Sequence, residues 1–178
     1  RDEAGAQALI AQAEASGAAP PRELHAARVG LFSHLGDPGA LRAEIVKAER
    51  TGVNNLEYEH ILAQTLARLG QHEEAVAIWE RILPHLSTPP RDLLGALAAS
   101  QRHLCDWCSW DERVPALVKR IQAGEGDAIE PFDAFNLPGL NATDLLRVAR
   151  AYGQRYRGWQ ELGPLHAQGP RPTRDRLR

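Results

Sequence analysis

The stretch Leu62-Ala63-Gln64-Thr65-Leu66-Ala67-Arg68-Leu69-Gly70-Gln71-His72-Glu73-Glu74-Ala75-Val76-Ala77-Ile78-Trp79-Glu80-Arg81-Ile82 holds two helical faces separated by one glycine. Leu62, Ala63 and Leu66 fall on one side of a first helix, and Gly70 brings a backbone free to turn. Ala75, Trp79 and Ile82 then recur at steps of four and three along a second helix. A small residue thus stands where two helices approach, and bulky ones stand where they pack. Extended to residues 56–89, the unit ends in Thr88-Pro89-Pro90, because proline cannot continue a helix. The Leu69-Gly70 pair has a counterpart in Leu35-Gly36, 34 residues earlier. Around that pair Val29, Phe32, Leu41, Ile45 and Ala48 occupy the corresponding places, with Asp37-Pro38 opening the second helix.

A helix, a tight turn and an antiparallel helix repeating at this period resemble the tetratricopeptide repeat (TPR). Leu62, Ala63, Leu66, Gly70, Ala75, Trp79 and Ile82 match its small and large positions, with Trp79 in the core. The resemblance implies an all-α fold of TPR-like antiparallel helical hairpins stacked as a short right-handed solenoid. Residues 1–122 are expected to be degenerate repeats, with 56–89 the best copy. Upstream, Glu3 to Ser16 reads as an Ala-rich amphipathic helix carrying Leu9 and Ile10, the second helix of a truncated repeat, ended by Gly17 and Pro20-Pro21. Downstream, Gly70 maps onto Leu104, so Asp92–Leu104 and Trp110–Gln122 form a third pair with an altered turn. Pro115 would kink the later helix unless it falls in the first turn. Pro131 and Pro138 make 123–142 an extended connection. A C-terminal helical segment, 143–168, follows. Its helix Thr143 to Tyr156, capped by Asn141 or Thr143, carries Leu145, Leu146, Val148 and Ala149 back onto the array. Residues 169–178, opening Gly169-Pro170-Arg171-Pro172, read as a linker.

Charge removes one class of partner. Lys plus Arg number 21 against 23 Asp plus Glu, a formal charge of −2, so no broad basic face faces phosphates and nucleic acid is not expected as a partner. The basic tail of Arg171, Arg174, Arg176 and Arg178 reads as a solvated linker. No apolar run approaches the roughly 20 residues of a membrane span, and no signal peptide is evident, so a cytoplasmic protein with no membrane partner is expected. The chain opens on Arg1 and holds no Met, which suggests a piece of something longer. Cys105 and Cys108 lack the four ligands of a structural zinc site and the βαβ setting of a redox pair, so both are expected to be partly buried structural thiols. Without a secretory signal, the Asn141-Ala142-Thr143 sequon carries little weight.

In stacked hairpins the first helices line a concave groove. Glu57, His60, Gln64 and Arg68 recur at steps of three and four opposite Leu62, Leu66 and Leu69, and form a polar stripe. Arg91, Gln101 and Arg102 continue it on the third pair, and Glu23, Ser33 and His34 on the first. Mixed charge and amide groups suit the backbone of a bound polypeptide, the expected partner. His60 and His34 are expected at the surface or in the groove. No residues form a catalytic, cofactor-binding or metal-ligating constellation.

Two phrases narrow the family. Leu104-Cys105-Asp106-Trp107 with Trp110-Asp111-Glu112-Arg113 is one; Ile129-Glu130-Pro131-Phe132 with Phe135, Leu137-Pro138 and the following helix is the other. Together, over roughly residues 91 to 178, they resemble the junction between TPR array and catalytic region in bacterial relatives of the protein O-linked N-acetylglucosamine transferases, the Spindly-like family. The resemblance implies an array that presents polypeptide acceptors to a two-lobed Rossmann-like domain using UDP-N-acetylglucosamine. That domain would begin after Asp175-Arg176-Leu177-Arg178, and this chain would bind no cofactor itself. Where long arrays of the family carry an asparagine ladder, this sequence has Ala27, Ile61 and Gly95. Trp107 and Trp110 are expected to pack beneath the hairpin, and Asp106 and Asp111 to cap helix starts. An alternative from another class is a free-standing TPR adaptor for complex assembly, and a third is a thiol- or metal-dependent module on Cys105 and Cys108.

Overall fold

A computed structural model describes residues 3–17, 19–52 and 55–154, all helix and turn with no strand among them. In chain order the helices are α1 (Glu3–Ser16), α2 (Pro21–Leu35), α3 (Pro38–Arg50), α4 (Leu56–Arg68), α5 (His72–Ile82), α6 (Leu93–His103), α7 (Trp110–Gln122), the single turn α8 (Pro131–Ala134) and α9 (Ala142–Gln154). A 3-10 turn, Leu83–His85, extends α5. No helix among the described residues is long and apolar enough to cross a membrane.

The helices pack in pairs, α2 on α3, α4 on α5 and α6 on α7, and α4 and α6 each also pack on the preceding pair. One backbone device makes all three turns. The Asp37 N–H donates to the Phe32 carbonyl at 3.0 Å, the Gln71 N–H to Leu66 at 2.9 Å and the Asp106 N–H to Gln101 at 2.9 Å. Each bridge needs a left-handed residue just before its donor, and these are Gly36 (φ 69), Gly70 (φ 78) and Cys105 (φ 54). Cys105 is the sole non-glycine with positive φ among the described residues. The counterpart of Gly70 is therefore Cys105, 35 residues on, and not Leu104 as the 34-residue period predicts.

Two apolar clusters meet at α6. Val29, Leu41, Leu62, Leu66, Trp79 and Ile82, with Leu93 and Leu97 from α6, form the first; Trp79 is fully buried. The second joins Ala98 of α6 to Val114, Leu117 and Ile121 of α7, to Ala128, Ile129, Ala134 and Leu137, and to Val148 of α9. Glu44, fully buried, stands where the second hairpin has Ile78 and is held by polar partners: His25 Nδ1 lies 2.7 Å from Glu44 Oε1 and Arg28 Nη1 3.5 Å from it. That substitution makes the first copy degenerate in sequence.

Several expectations need correction. Cys105 and Cys108 are exposed, because the turn that holds them projects beyond both clusters. Trp107 is half exposed and meets Trp110 edge-on at 4.9 Å. Asp106 Oδ1 does accept from the Cys108 N–H (3.1 Å), but Ser109 occupies the N-cap of α7 and Asp111 lies within the first turn. The 123–142 connection contains α8, whose Pro131 at the first position suits a helix start. Pro115 lies past the first turn, yet α7 runs on unbroken. No residue of α1 is buried, and Leu9 is exposed. At α9 the cap is Asn141, whose Oδ1 accepts from Thr143 N–H (2.8 Å) and Asp144 N–H (3.1 Å), while Asp144 Oδ2 accepts from Asn141 N–H (3.2 Å). The expected end of that helix at Tyr156, the remainder of 143–168 and the linker lie outside the described residues.

Candidate functional site

A groove of about 470 Å³ runs across the first helices of the pairs. α4 contributes Gln64, Ala67 and Arg68; α6 contributes Gly95, Ala96, Ala99, Ser100 and His103, and its N-cap contributes Asp92. Ser33 of α2 and His72 of α5 also line it, with Asp127, Ile129, Glu130 and Asp133 from the connection. The connection can lie against α6 because residue 95 has no side chain. A Cβ there would stand 2.2 Å from the Ala128 carbonyl and 2.9 Å from Ile129 Cα.

A polar chain links the groove to the core. The Trp79 indole N–H donates to His60 Nδ1 at 2.9 Å, which leaves the ring proton on Nε2, 3.3 Å from Asp92 Oδ1. Gln64 Nε2 donates to Asp92 Oδ2 at 2.8 Å. The only polar atom of the indole is thereby satisfied inside an apolar cluster, where an unpaired N–H is costly. Nearby, Arg68 Nη2 donates to the Ser33 carbonyl (2.8 Å), Ser33 Oγ (3.0 Å) and Thr65 Oγ1 (3.2 Å), tying α4 to α2 across one end of the groove.

At the other side His72 and His103 stack at 4.3 Å with planes 7° apart, and His72 Nδ1 lies 3.2 Å from Ser100 Oγ. Burial, and then the neighbouring His103, hold the His72 imidazole below its ordinary value, against the opposing pull of Asp133. The Ser100–His72 contact has no carboxylate hydrogen-bonded to the ring among the described residues. Arg102 Nη2 holds Asp133 Oδ1 at 2.6 Å, and Ser100 is buried. No cluster of three or more His, Cys, Asp or Glu among the described residues could hold a metal ion.

The structure brings only part of the expected stripe together. Gln64, Arg68 and Ser33 line the groove. His60 is buried behind it, held between the Trp79 indole of α5 and the Asp92 carboxylate. Gln101 is buried too, its Nε2 3.2 Å from Asp106 Oδ2, and Arg102 is half-buried against Asp133. Glu57, Glu23 and His34 are exposed away from the groove, and Arg91 faces a neighbouring cavity. Sequence reasoning missed Asp92, His72, Ser100, His103, Glu130 and Asp133. His72 was the most accessible of these, two residues past Gly70 and therefore at the mouth of the hairpin. Comparison with family models, with curated proteins and with solved structures finds no match to this chain.

Proposed function

We propose that the helical pairs form a TPR-like right-handed solenoid, and that its groove receives a polypeptide in extended form. The observation that carries this reading is the groove itself. It crosses α2, α4 and α6 and offers the Gln64 amide, the Arg68 guanidinium and the carboxylates of Asp127, Glu130 and Asp133 beside small residues, Ala67, Gly95, Ala96 and Ala99. Donors from α4 and acceptors from the connection both line it, and a polypeptide backbone carries partners for each kind.

The Leu104-Cys105-Asp106-Trp107 and Ile129-Glu130-Pro131-Phe132 phrases support the finer reading, by resemblance: the acceptor-presenting region of a protein O-glycosyltransferase of the Spindly-like kind, in a cytoplasmic parent chain using UDP-N-acetylglucosamine. The groove would serve a free-standing adaptor equally well. The deciding experiment is to assay the complete gene product for transfer of labelled N-acetylglucosamine from its UDP donor to polypeptide. Turnover that Arg68→Glu reduces through a raised KM, with kcat kept, is the expected result. A coding sequence that stops after Arg178 would leave the adaptor, and polypeptide binding indifferent to Arg68→Glu would remove the groove from either role.

A further inference from the structure

Apart from the groove, a cavity of about 990 Å³ lies between α1, α2 and the end of α3. Leu24 and Phe32 of α2, with Pro20 and Pro21 at its start, make one side apolar. His25, Glu44 and Thr51 line the same space and form one hydrogen-bonded row. His25 Nδ1 lies 2.7 Å from Glu44 Oε1, and His25 Nε2 lies 3.2 Å from Thr51 Oγ1.

Burial gives the row a direction. Glu44 is fully buried and His25 nearly so, whereas Thr51 is exposed. A carboxylate only accepts, so the proton between the first two belongs to Nδ1, and the neutral ring turns the lone pair of Nε2 toward the hydroxyl. Arg28 Nη1 lies 3.5 Å from Glu44 Oε1, and exposed Lys47 reaches Oε2 at 3.7 Å, while Arg28 is shared with Glu14 of α1. The Thr51 hydroxyl is also 2.8 Å from the Ala48 carbonyl, but that oxygen already accepts from the Thr51 N–H at 3.1 Å. Its proton therefore passes to Nε2 without stranding the carbonyl. The Ser100–His72 contact lacks both features found here, a carboxylate on the ring and a hydroxyl open to solvent.

We propose that Thr51, His25 and Glu44 form an acyl-transfer site for aryl esters, independent of what the groove receives. Thr51 Oγ1 bonds to the carbonyl carbon, the ester C–O bond breaks, and the hydroxyl proton passes to Nε2 and on to the departing oxygen. Water then attacks the acyl-threonine by the same proton route, releasing the acid and restoring the hydroxyl. The Thr51 and Gly52 N–H groups are spent on the Ala48 and Glu49 carbonyls, so neither receives a developing oxyanion, and the site needs a good leaving group.

The test mixes the chain with p-nitrophenyl acetate, follows phenolate release by absorbance and, after an acid quench, locates acetyl groups by peptide mass spectrometry. Acetyl on Thr51 is expected, with release slowed about tenfold or more by Thr51→Val and restored by Thr51→Ser. Thr51 is exposed, so these changes leave the fold in place. His25→Gln, checked for folding by circular dichroism, should lose the acetyl on Thr51 while lysines still react. Release unchanged by Thr51→Val, or acetyl groups confined to lysine, overturns the site. Thr51 acetylation that persists in folded His25→Gln overturns the relay.

Discussion

The hairpin that turns on Gly70 and the one that turns on Cys105 share a backbone bridge and differ in what surrounds it. In the first, α4 and α5 put Leu62, Leu66, Trp79 and Ile82 into a single apolar cluster. In the second, α6 divides its side chains: Leu93 and Leu97 face backward into that cluster, and Ala98 faces forward into another built with α7, the connection and α9. A hairpin can therefore be preserved by hydrogen bonding alone while its packing is rebuilt for a new neighbour. The repeat fades in sequence where the second cluster begins, although the turn persists.

The sharpest way to break this contrast is at Trp79. Trp79→Ala should lower stability by about 3–5 kcal/mol, through the cavity left in the first cluster and the loss of the indole bond to His60. A denaturant midpoint unchanged from wild type would overturn the assignment of Trp79 as the centre of that cluster. At the joint between the clusters, Gly95→Ala should cost roughly 1–3 kcal/mol, because the new methyl meets the Ala128 backbone and cannot be relieved by a side-chain rotation. An alanine there that melts at the wild-type temperature would mean the connection sits farther from α6. In the other direction, Cys105→Gly should stabilise by about 1 kcal/mol, since glycine takes the left-handed conformation without Cβ strain. Cys105→Ala, which keeps the Cβ, should show little of this gain, and equal gains from the two would attribute the effect to the thiol.

The smallest expected effect is on pH dependence. His72 has its pKa depressed on folding, so the unfolded chain takes up its proton first. Its contribution is full above the ordinary histidine value of about 6.5 and declines as the pH falls below it. Asp106 and Asp144 are held below the usual carboxylate range, chiefly by the backbone N–H groups of Cys108 and Asn141, and their contributions fade only at lower pH. His72→Gln should therefore flatten the decline in melting temperature between about pH 7 and 5 while leaving the steeper acid limb in place. Parallel curves for variant and wild type would deny His72 that part.

The all-helical character and the pairing of helices were legible because Leu35-Gly36 and Leu69-Gly70 mark their turns directly. Trp79 was legible for a related reason, its spacing from Ala75 and Ile82. The third turn was obscured because its left-handed residue is a cysteine, and a search for glycine passes over it. The stripe on α4 was only half legible. Periodicity gives the direction in which Glu57, His60, Gln64 and Arg68 point, but it does not reveal that Trp79 and Asp92 enclose His60 while Arg68 stays exposed. Most of the groove came from elements whose mutual approach no local pattern encodes, above all the Asp127–Asp133 wall.

That wall rests against α6 at Gly95 with main chain against main chain, and its neighbour Gly126 rests against α9 in the same way. Contacts of this kind leave no side chain to rotate and absorb a displacement. A displacement of α9 therefore cannot be taken up by side-chain rotation at Gly126 or Gly95, and both contacts lie on the Gly126–Ile129 segment that leads into the groove wall.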